Sequence, residues 1–330
     1  MSQHRNHSDR ITSDAALSLD DLRGVLLPIP TPFSAAGELD LAGLRSNIQK
    51  WNLTGIRGYV VLGSTGERVN LGEAECFQVI EAARSEVADG PGAPAFIVGV
   101  GQESTKSTIN EIKRVAGAVR VNAALVITPH FYRSAITQQA LVDHYRVVAD
   151  DSPVPVILYS MPALTGIKIE AETAARLSEH ENIIGIKDSS ADVGGLEQTI
   201  RLVHKDFAVL TGNGTVFYEG LRAGARAGIL AVGCVAPALC LAIFAAVKSG
   251  DMDRAARLQA SLSPLAAAVT TRFGIGGLKA ALEIRGYAGG SPRAPLSVPN
   301  QAGREAILKC LEDSDFAVQE SFIGQVEASH

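Results

Sequence analysis

A lysine that directly follows a short apolar run is the first candidate for chemistry in this chain. The run covers residues 183–186, carries no polar side chain and ends at Lys187. Burial disfavours the charged form of an amine, and the neutral amine is the form that attacks a carbonyl to make a Schiff base. Because many lysines after a strand simply point to water, position alone leaves the role of Lys187 open.

A tyrosine stands near the end of the preceding apolar run. This run covers residues 154–162 and includes Tyr159. Adjacent strands lie about 4.8 Å apart, so pairing of the two runs brings the phenol of Tyr159 beside Lys187. A Schiff-base cycle needs several proton transfers, and a phenol both donates and accepts protons. The alternative is a tyrosine whose ring fills space while its hydroxyl meets water.

Two hydroxyl side chains stand between glycines after the second apolar run. The string is Gly63-Ser64-Thr65-Gly66-Glu67. Hydroxyls and neighbouring backbone N–H groups, flanked by glycines that permit close approach, suit a bound carboxylate. Ser64 and Thr65 are therefore candidate carboxylate ligands, although the same string also serves as an ordinary turn before a helix.

Composition argues against several other classes of function. Charged residues make up 20% of the 330 residues, and the net charge of −5 comes without a basic run, so we expect a small-molecule partner and no nucleic acid. The seven histidines show no paired spacing with carboxylates, which argues against a metal. The glycine-rich residues 211–214 match neither a dinucleotide nor a phosphate-loop pattern. We therefore expect no metal and no cofactor.

Three further patterns concern the location of the protein. Residues 1–21 are polar and mixed in charge, so we expect a flexible tail rather than a secretory signal. Residues 228–247 carry no charge, but Pro237 interrupts them, and we interpret the stretch as strand, turn and helix rather than a membrane span. Four scattered cysteines fit free thiols in a reducing compartment. These patterns predict a cytoplasmic protein without membrane partners.

Eight apolar runs alternate with eight amphipathic segments and must position these side chains. Near-continuous apolar runs are typical of parallel strands buried on both faces. The alternation predicts an α/β fold, a (β/α)8 TIM barrel over residues 22–248 with a C-terminal helical extension over residues 249–330. A doubly wound open sheet is the alternative. The predicted strands are residues 25–32, 58–63, 95–101, 123–129, 154–162, 183–187, 207–212 and 228–233.

Three strings taken together are more specific than any one of them. They are residues 63–67, 159–162 and 185–188, which the predicted barrel places at the carboxyl ends of its strands. Between residues 24 and 296 the chain resembles the dihydrodipicolinate synthase and N-acetylneuraminate lyase family of pyruvate-dependent class I aldolases.

This resemblance implies a role for each candidate residue. Lys187 would form the Schiff base, Tyr159 would relay protons, and Ser64 with Thr65 would hold the pyruvate carboxylate. Gly212 matches a glycine that contacts substrate in the family. The resemblance also implies a homotetramer built as a dimer of dimers.

Two positions depart from the pattern of the dihydrodipicolinate synthases. Those enzymes usually carry an arginine, which binds the carboxylate of the aldehyde substrate, where this chain has Leu164. They also use a tyrosine contributed across a subunit contact where this chain has Phe131, followed by Tyr132. Neuraminate lyases resemble this chain at residues 162–164.

The likeness that we place first is to 4-hydroxy-2-oxoglutarate aldolases. It covers residues 151–160, 187–189, 271–275 and 289–296, and Ser189 matches a serine that contacts substrate in that branch. The hypothesis is cleavage of 4-hydroxy-2-oxoglutarate to pyruvate and glyoxylate, with specificity resting on Leu164 and Ser189. The alternatives are a dihydrodipicolinate synthase acting on pyruvate and aspartate semialdehyde, a sugar-acid aldolase, or a non-enzymatic barrel that binds a 2-oxo acid.

Overall fold

The computed structural model describes residues 22–327, with side chains for residues 22–315. The tail predicted over residues 1–21 lies outside the described residues. Eight parallel strands close into a barrel in sequence order, and the last strand pairs with the first. The predicted (β/α)8 barrel is confirmed, and the open doubly wound sheet is wrong.

Each predicted apolar run overlaps one strand of the barrel. The strands are β1 Gly24–Pro28, β2 Gly58–Val61, β3 Ala95–Val100, β4 Ala123–Ile127, β5 Val156–Ser160, β6 Ile183–Asp188, β7 Ala208–Thr211 and β8 Ala227–Ile229. Most strands end before the predicted run does, because the last residues of those runs turn away to form loops at the carboxyl end of the barrel.

A helix follows each strand, and three more helices form the C-terminal extension. The helices are α1 Leu41–Trp51, α2 Glu73–Arg84, α3 Thr105–Ala118, α4 Gln138–Asp151, α5 Pro162–Thr165, α6 Ala171–Ser178, α7 Val193–Leu202, α8 Phe217–Ala223, α9 Pro237–Ser249, α10 Met252–Ala267, α11 Gly274–Ile284 and α12 Gln301–Glu327. Side chains that accept N-terminal backbone N–H groups fix several starts, as Asp40 does for α1 and Thr137 for α4.

The short helix α5 was not predicted, and it changes the end of β5. Pro162 occupies the first helical position, where its missing N–H costs nothing, and Gly166 ends the helix with a φ of 70°. The chain therefore leaves the sheet at Ser160 and builds a helical turn at the mouth of the barrel.

Two apolar layers hold the barrel together. Inside the barrel, side chains from alternate strand positions form a compact cluster that includes Leu26, Val60, Ile97, Leu125 and Ile157. A larger layer lies between the strands and the surrounding helices. Because both faces of each strand are covered, the near-continuous apolar runs of the sequence follow directly from this arrangement.

The predicted C-terminal helices are present, and they pack on the outside of the barrel. Helix α10 packs against α9 and α12, and α11 packs against α12. The uncharged residues 228–247 divide into the end of β8, a 3-10 turn at Ala231–Cys234 and α9. Between residues 22 and 327, no helix combines the length and the apolar character needed to cross a membrane.

Candidate active site

The register between β5 and β6 brings the predicted lysine and tyrosine together. Tyr159 pairs with Lys187 across the two strands. Each residue is only 3% exposed, and the Nζ atom of Lys187 lies 4.4 Å from the centroid of the Tyr159 ring. The amine is therefore held in the mouth of the barrel, against the phenol, and does not point into bulk water.

The loop after β2 joins this pair through a hydrogen bond. The hydroxyls of Ser64 and Tyr159 lie 2.7 Å apart. Ser64 begins a 3-10 turn, Ser64–Gly66, that also carries the half-buried Thr65. The structure thus connects the hydroxyl string, the phenol and the amine into one continuous group.

Gly212 and Ser189 lie on the other side of the lysine. A Cβ atom built on Gly212 would lie 2.0 Å from the Oγ of Ser189 and 2.8 Å from the Cε of Lys187. No side chain fits there without displacing one of them. The structure therefore brings Gly212 and Ser189, both predicted from the sequence, into contact with each other beside the candidate nucleophile.

Leu164 lies outside this buried group. It is on α5 at the rim of the barrel, and 64% of its surface is exposed. Leu164 therefore faces solvent at the rim, whereas the amine of Lys187 is buried.

Sequence reasoning missed an arginine beside α5. Arg133 is exposed in the 3-10 turn after β4. A Cβ on Gly166 would lie 2.8 Å from its Nη1 atom and 3.0 Å from its Nε atom, so the guanidinium rests on the glycine that ends α5. A cation is therefore present at the rim, beside Gly166, which lies two residues after Leu164 in the chain.

Two exposed aromatic side chains precede this arginine. Phe131 and Tyr132 are 76% and 69% exposed, with ring centroids 5.1 Å apart in an edge-to-face arrangement. The backbone N–H of Phe131 donates to the Oε2 of Glu103 at 2.8 Å. The loop that carries the aromatic pair is thus fixed from the end of β3.

A second missed feature is a buried ion pair behind the hydroxyl string. Glu67, the last residue of that string, lies 2.6 Å from the ammonium of Lys279 on α11. Burial lowers the pKa of Lys279, and Glu67 opposes this shift. The criterion that selected Lys187 selects Lys279 as well, because residues 274–282 carry no other charge.

Side chains for a metal site are not assembled in the described region. Among residues 22–315, no group of three or more His, Cys, Asp or Glu side chains is placed to hold a metal ion. The groups in the barrel mouth are instead an amine, a phenol and hydroxyls, the set that imine formation and proton transfer use.

Comparison with known proteins identifies the family of this chain. The model of the dihydrodipicolinate synthetase family matches residues 21–314. The chain belongs to this family. Its members are class I pyruvate-dependent lyases, so the prediction of a carbon–carbon lyase is confirmed, and the chain is an enzyme of that class.

Individual relatives cover nearly the whole barrel and its extension. The chain is 35% identical over 298 residues to the 4-hydroxy-tetrahydrodipicolinate synthase of Methanothrix thermoacetophila, covering 88% of this chain and 97% of the relative. A dihydrodipicolinate synthase structure from Thermotoga maritima matches with a TM-score of 0.81 at 30% identity, covering 89% of this chain and 99% of that one. The chloride-inhibited enzyme from Acinetobacter baumannii, complexed with pyruvate, gives 0.81 at 28% identity, with coverage of 89% and 99%.

These relatives support the family but not the branch placed first. Their names favour dihydrodipicolinate synthase, the alternative of the sequence analysis, over 4-hydroxy-2-oxoglutarate aldolase. Leu164 and Phe131 still differ from the arginine and the tyrosine that dihydrodipicolinate synthases usually carry at these positions.

Proposed function

We propose that this enzyme joins pyruvate to an aldehyde through a Schiff base on Lys187, with aspartate semialdehyde as the first candidate aldehyde. One observation carries the proposal: the buried amine of Lys187 lies 4.4 Å from the Tyr159 ring centroid, and the Tyr159 hydroxyl is hydrogen-bonded to Ser64. The names of the relatives support the choice of aldehyde.

The arrangement of the amine, the phenol and the hydroxyls suggests the following reaction steps. The neutral amine of Lys187 adds to the C2 ketone of pyruvate, and loss of water leaves an imine. Removal of a C3 proton gives an enamine, whose C3 attacks the aldehyde carbon, and hydrolysis releases the product. Tyr159 lies where it can carry the protons of these steps, while Ser64 and Thr65 hold the C1 carboxylate.

Arg133 supports an aldehyde that carries a carboxylate. An exposed guanidinium beside α5 supplies the cation that Leu164 does not, because arginine binds carboxylates through its planar fork of donors. A sugar aldehyde offers no such group, so this observation places the sugar-acid alternative last.

Cleavage of 4-hydroxy-2-oxoglutarate is the second candidate. It is favoured by the absence of an arginine at Leu164 and by Ser189, whose Oγ lies on the same side of Gly212 as the Cε of Lys187. The glyoxylate that leaves in this reaction also carries a carboxylate, so Arg133 fits both candidates. The direction of the reaction and the length of the aldehyde separate them.

A homotetramer remains part of the proposal. Phe131 and Tyr132 are large, apolar and exposed at the barrel mouth, which is typical of side chains that a second subunit covers. Sedimentation of the full chain tests this assembly.

Two coupled assays test the proposed function. One follows loss of pyruvate in the presence of aspartate semialdehyde, and the other follows release of pyruvate from 4-hydroxy-2-oxoglutarate, each with Lys187→Ala as the control. Faster turnover in the first assay supports the first candidate, and faster turnover in the second reverses the order. Equal activity of Lys187→Ala and the wild type would overturn the Schiff-base proposal.

A further inference from the structure

The C-terminal extension reaches the loop after β2 through a buried ion pair that the proposed chemistry does not use. Lys279 Nζ lies 2.6 Å from Glu67 Oε1, and the two side chains are 0% and 1% exposed. Lys279 also donates to the carbonyl of Ser291 at 3.0 Å, and its ammonium lies 4.3 Å from the Phe33 ring centroid. Helix α11 is therefore tied to the residue that follows the Ser64–Gly66 turn.

The second carboxylate oxygen of Glu67 is held as well. Oε2 accepts the backbone N–H of Arg293 at 3.0 Å and the side-chain amide of Asn70 at 3.2 Å. The guanidinium of Arg293 pairs with Glu75 on α2 and lies 4.4 Å from the Phe33 ring centroid. Two of the residues that bind the Glu67 carboxylate, Lys279 and Arg293, belong to the C-terminal extension.

The turn needs external support because its flanks are strained. Leu62 and Glu67 have φ values of 59° and 55°, although neither is a glycine. Such backbone conformations persist only where the surrounding structure imposes them. Thr31 supplies one further restraint, since its hydroxyl donates to the carbonyl of Gly66 at 2.8 Å.

We infer that Glu67 is a positioning residue. Held by its ion pair with Lys279 and its hydrogen bond with the backbone of Arg293, it fixes the Ser64–Gly66 turn in the position that binds the carboxylate of pyruvate. This inference rests on the proposed function. The C-terminal extension thereby acts in substrate binding without touching substrate or the reacting atoms. Loss of these contacts weakens binding of the carboxylate, while the Tyr159 ring, Ser189 and Gly212 remain beside Lys187.

The test compares two double variants of the full chain. Glu67→Gln with Lys279→Met removes both buried charges together, so that neither remains unpaired. Arg285→Gln with Asp315→Asn removes another ion pair of the extension, at 2.6 Å, which joins the end of α11 to α12. The pyruvate concentration that half-saturates the borohydride-trapped adduct, and the trapping rate at saturation, are measured for both. Hydrogen exchange of residues 62–71 is followed in the free enzyme.

The inference predicts that the double variant at Glu67 and Lys279 binds pyruvate more weakly but reacts at nearly the same rate once it is saturated. In the Glu67/Lys279 variant, the half-saturating concentration rises about tenfold or more and residues 62–71 exchange faster, while the saturating rate stays within about threefold. The Arg285/Asp315 variant changes neither. Equal half-saturation in the wild type and the Glu67/Lys279 variant would overturn the inference alone, even if that variant were less stable. Absence of any adduct in the wild type would remove the proposed function and the inference together.

Discussion

At the scale of single residues, Tyr159 contacts both parts of the proposed chemistry. Its ring lies under the amine of Lys187, and its hydroxyl bonds to Ser64. Tyr159→Phe keeps the ring and removes the proton relay, so we expect kcat to fall about 100- to 1000-fold while the Lys187 adduct still forms. Steady-state turnover and adduct mass are the measurements. Unchanged kcat would show that the phenol carries no proton.

Gly212 is the residue whose missing side chain matters most to the site. In Gly212→Ala, the new methyl would lie 2.0 Å from the Ser189 Oγ and 2.8 Å from the Lys187 Cε. We expect adduct formation to slow about 100-fold, because small displacements of reacting groups are costly. Gly117→Ala is the matched control. It lies in α3 with no atom near the new methyl, so activity stays unchanged and stability rises by up to about 1 kcal/mol.

At the scale of elements, the loop after β4 and helix α5 meet at the rim. Arg133 rests on Gly166 there. Arg133→Gln should raise the KM of a carboxylate-bearing aldehyde about tenfold, because a charged hydrogen bond is lost, and leave the KM of pyruvate unchanged. Arg146→Gln, exposed on α4 and hydrogen-bonded to the carbonyl of Arg176 on α6, is the control. A parallel rise of both KM values would place Arg133 in general structure instead.

The elements themselves were predictable, but their ends were less so. Periodicity and apolar runs predict all eight strands, since burial on both faces leaves a clear pattern. The predicted run over residues 154–162 nevertheless extends into α5, because an apolar run does not show where the chain leaves the sheet. The placement of Leu164 on that helix, exposed at the rim, depends on this local turn and could not be derived from the run.

At the scale of the whole molecule, a buried histidine couples stability to pH. Burial lowers the pKa of His144 to about 4 from an ordinary 6.5, and Glu103 opposes the shift. Between these values the unfolded chain binds a proton that the folded chain does not. This histidine therefore makes stability rise with pH through that window, by about 3 kcal/mol, and contributes no further change above it.

Urea denaturation at pH 5 and pH 7.5 measures the part of this contribution that lies above pH 5, which is about 2 kcal/mol. His144→Gln should reduce the gain in unfolding free energy between the two pH values. His204→Gln is the control, because that side chain is 45% exposed, and it should leave the gain as in the wild type. The same pH dependence in His144→Gln and the wild type would refute the assignment.

Contacts between distant parts of the chain were the hardest to predict. Lys187, Tyr159 and Ser64 could be placed at one end of the barrel because closed parallel barrels gather the carboxyl ends of all strands. The contact between Glu67 and Lys279 could not be predicted, because no periodic pattern specifies how the extension packs on the barrel. A lone lysine in an apolar helix predicts a buried partner without identifying it.

The central claim is that Lys187 forms a covalent imine with pyruvate. Reduction with borohydride in the presence of pyruvate, followed by peptide mass mapping, tests this claim most directly, with Lys187→Ala as the control. The account predicts one reduced pyruvate adduct, located on Lys187 and absent from the variant. An unmodified chain, or an adduct on the other buried lysine, Lys279, would contradict it.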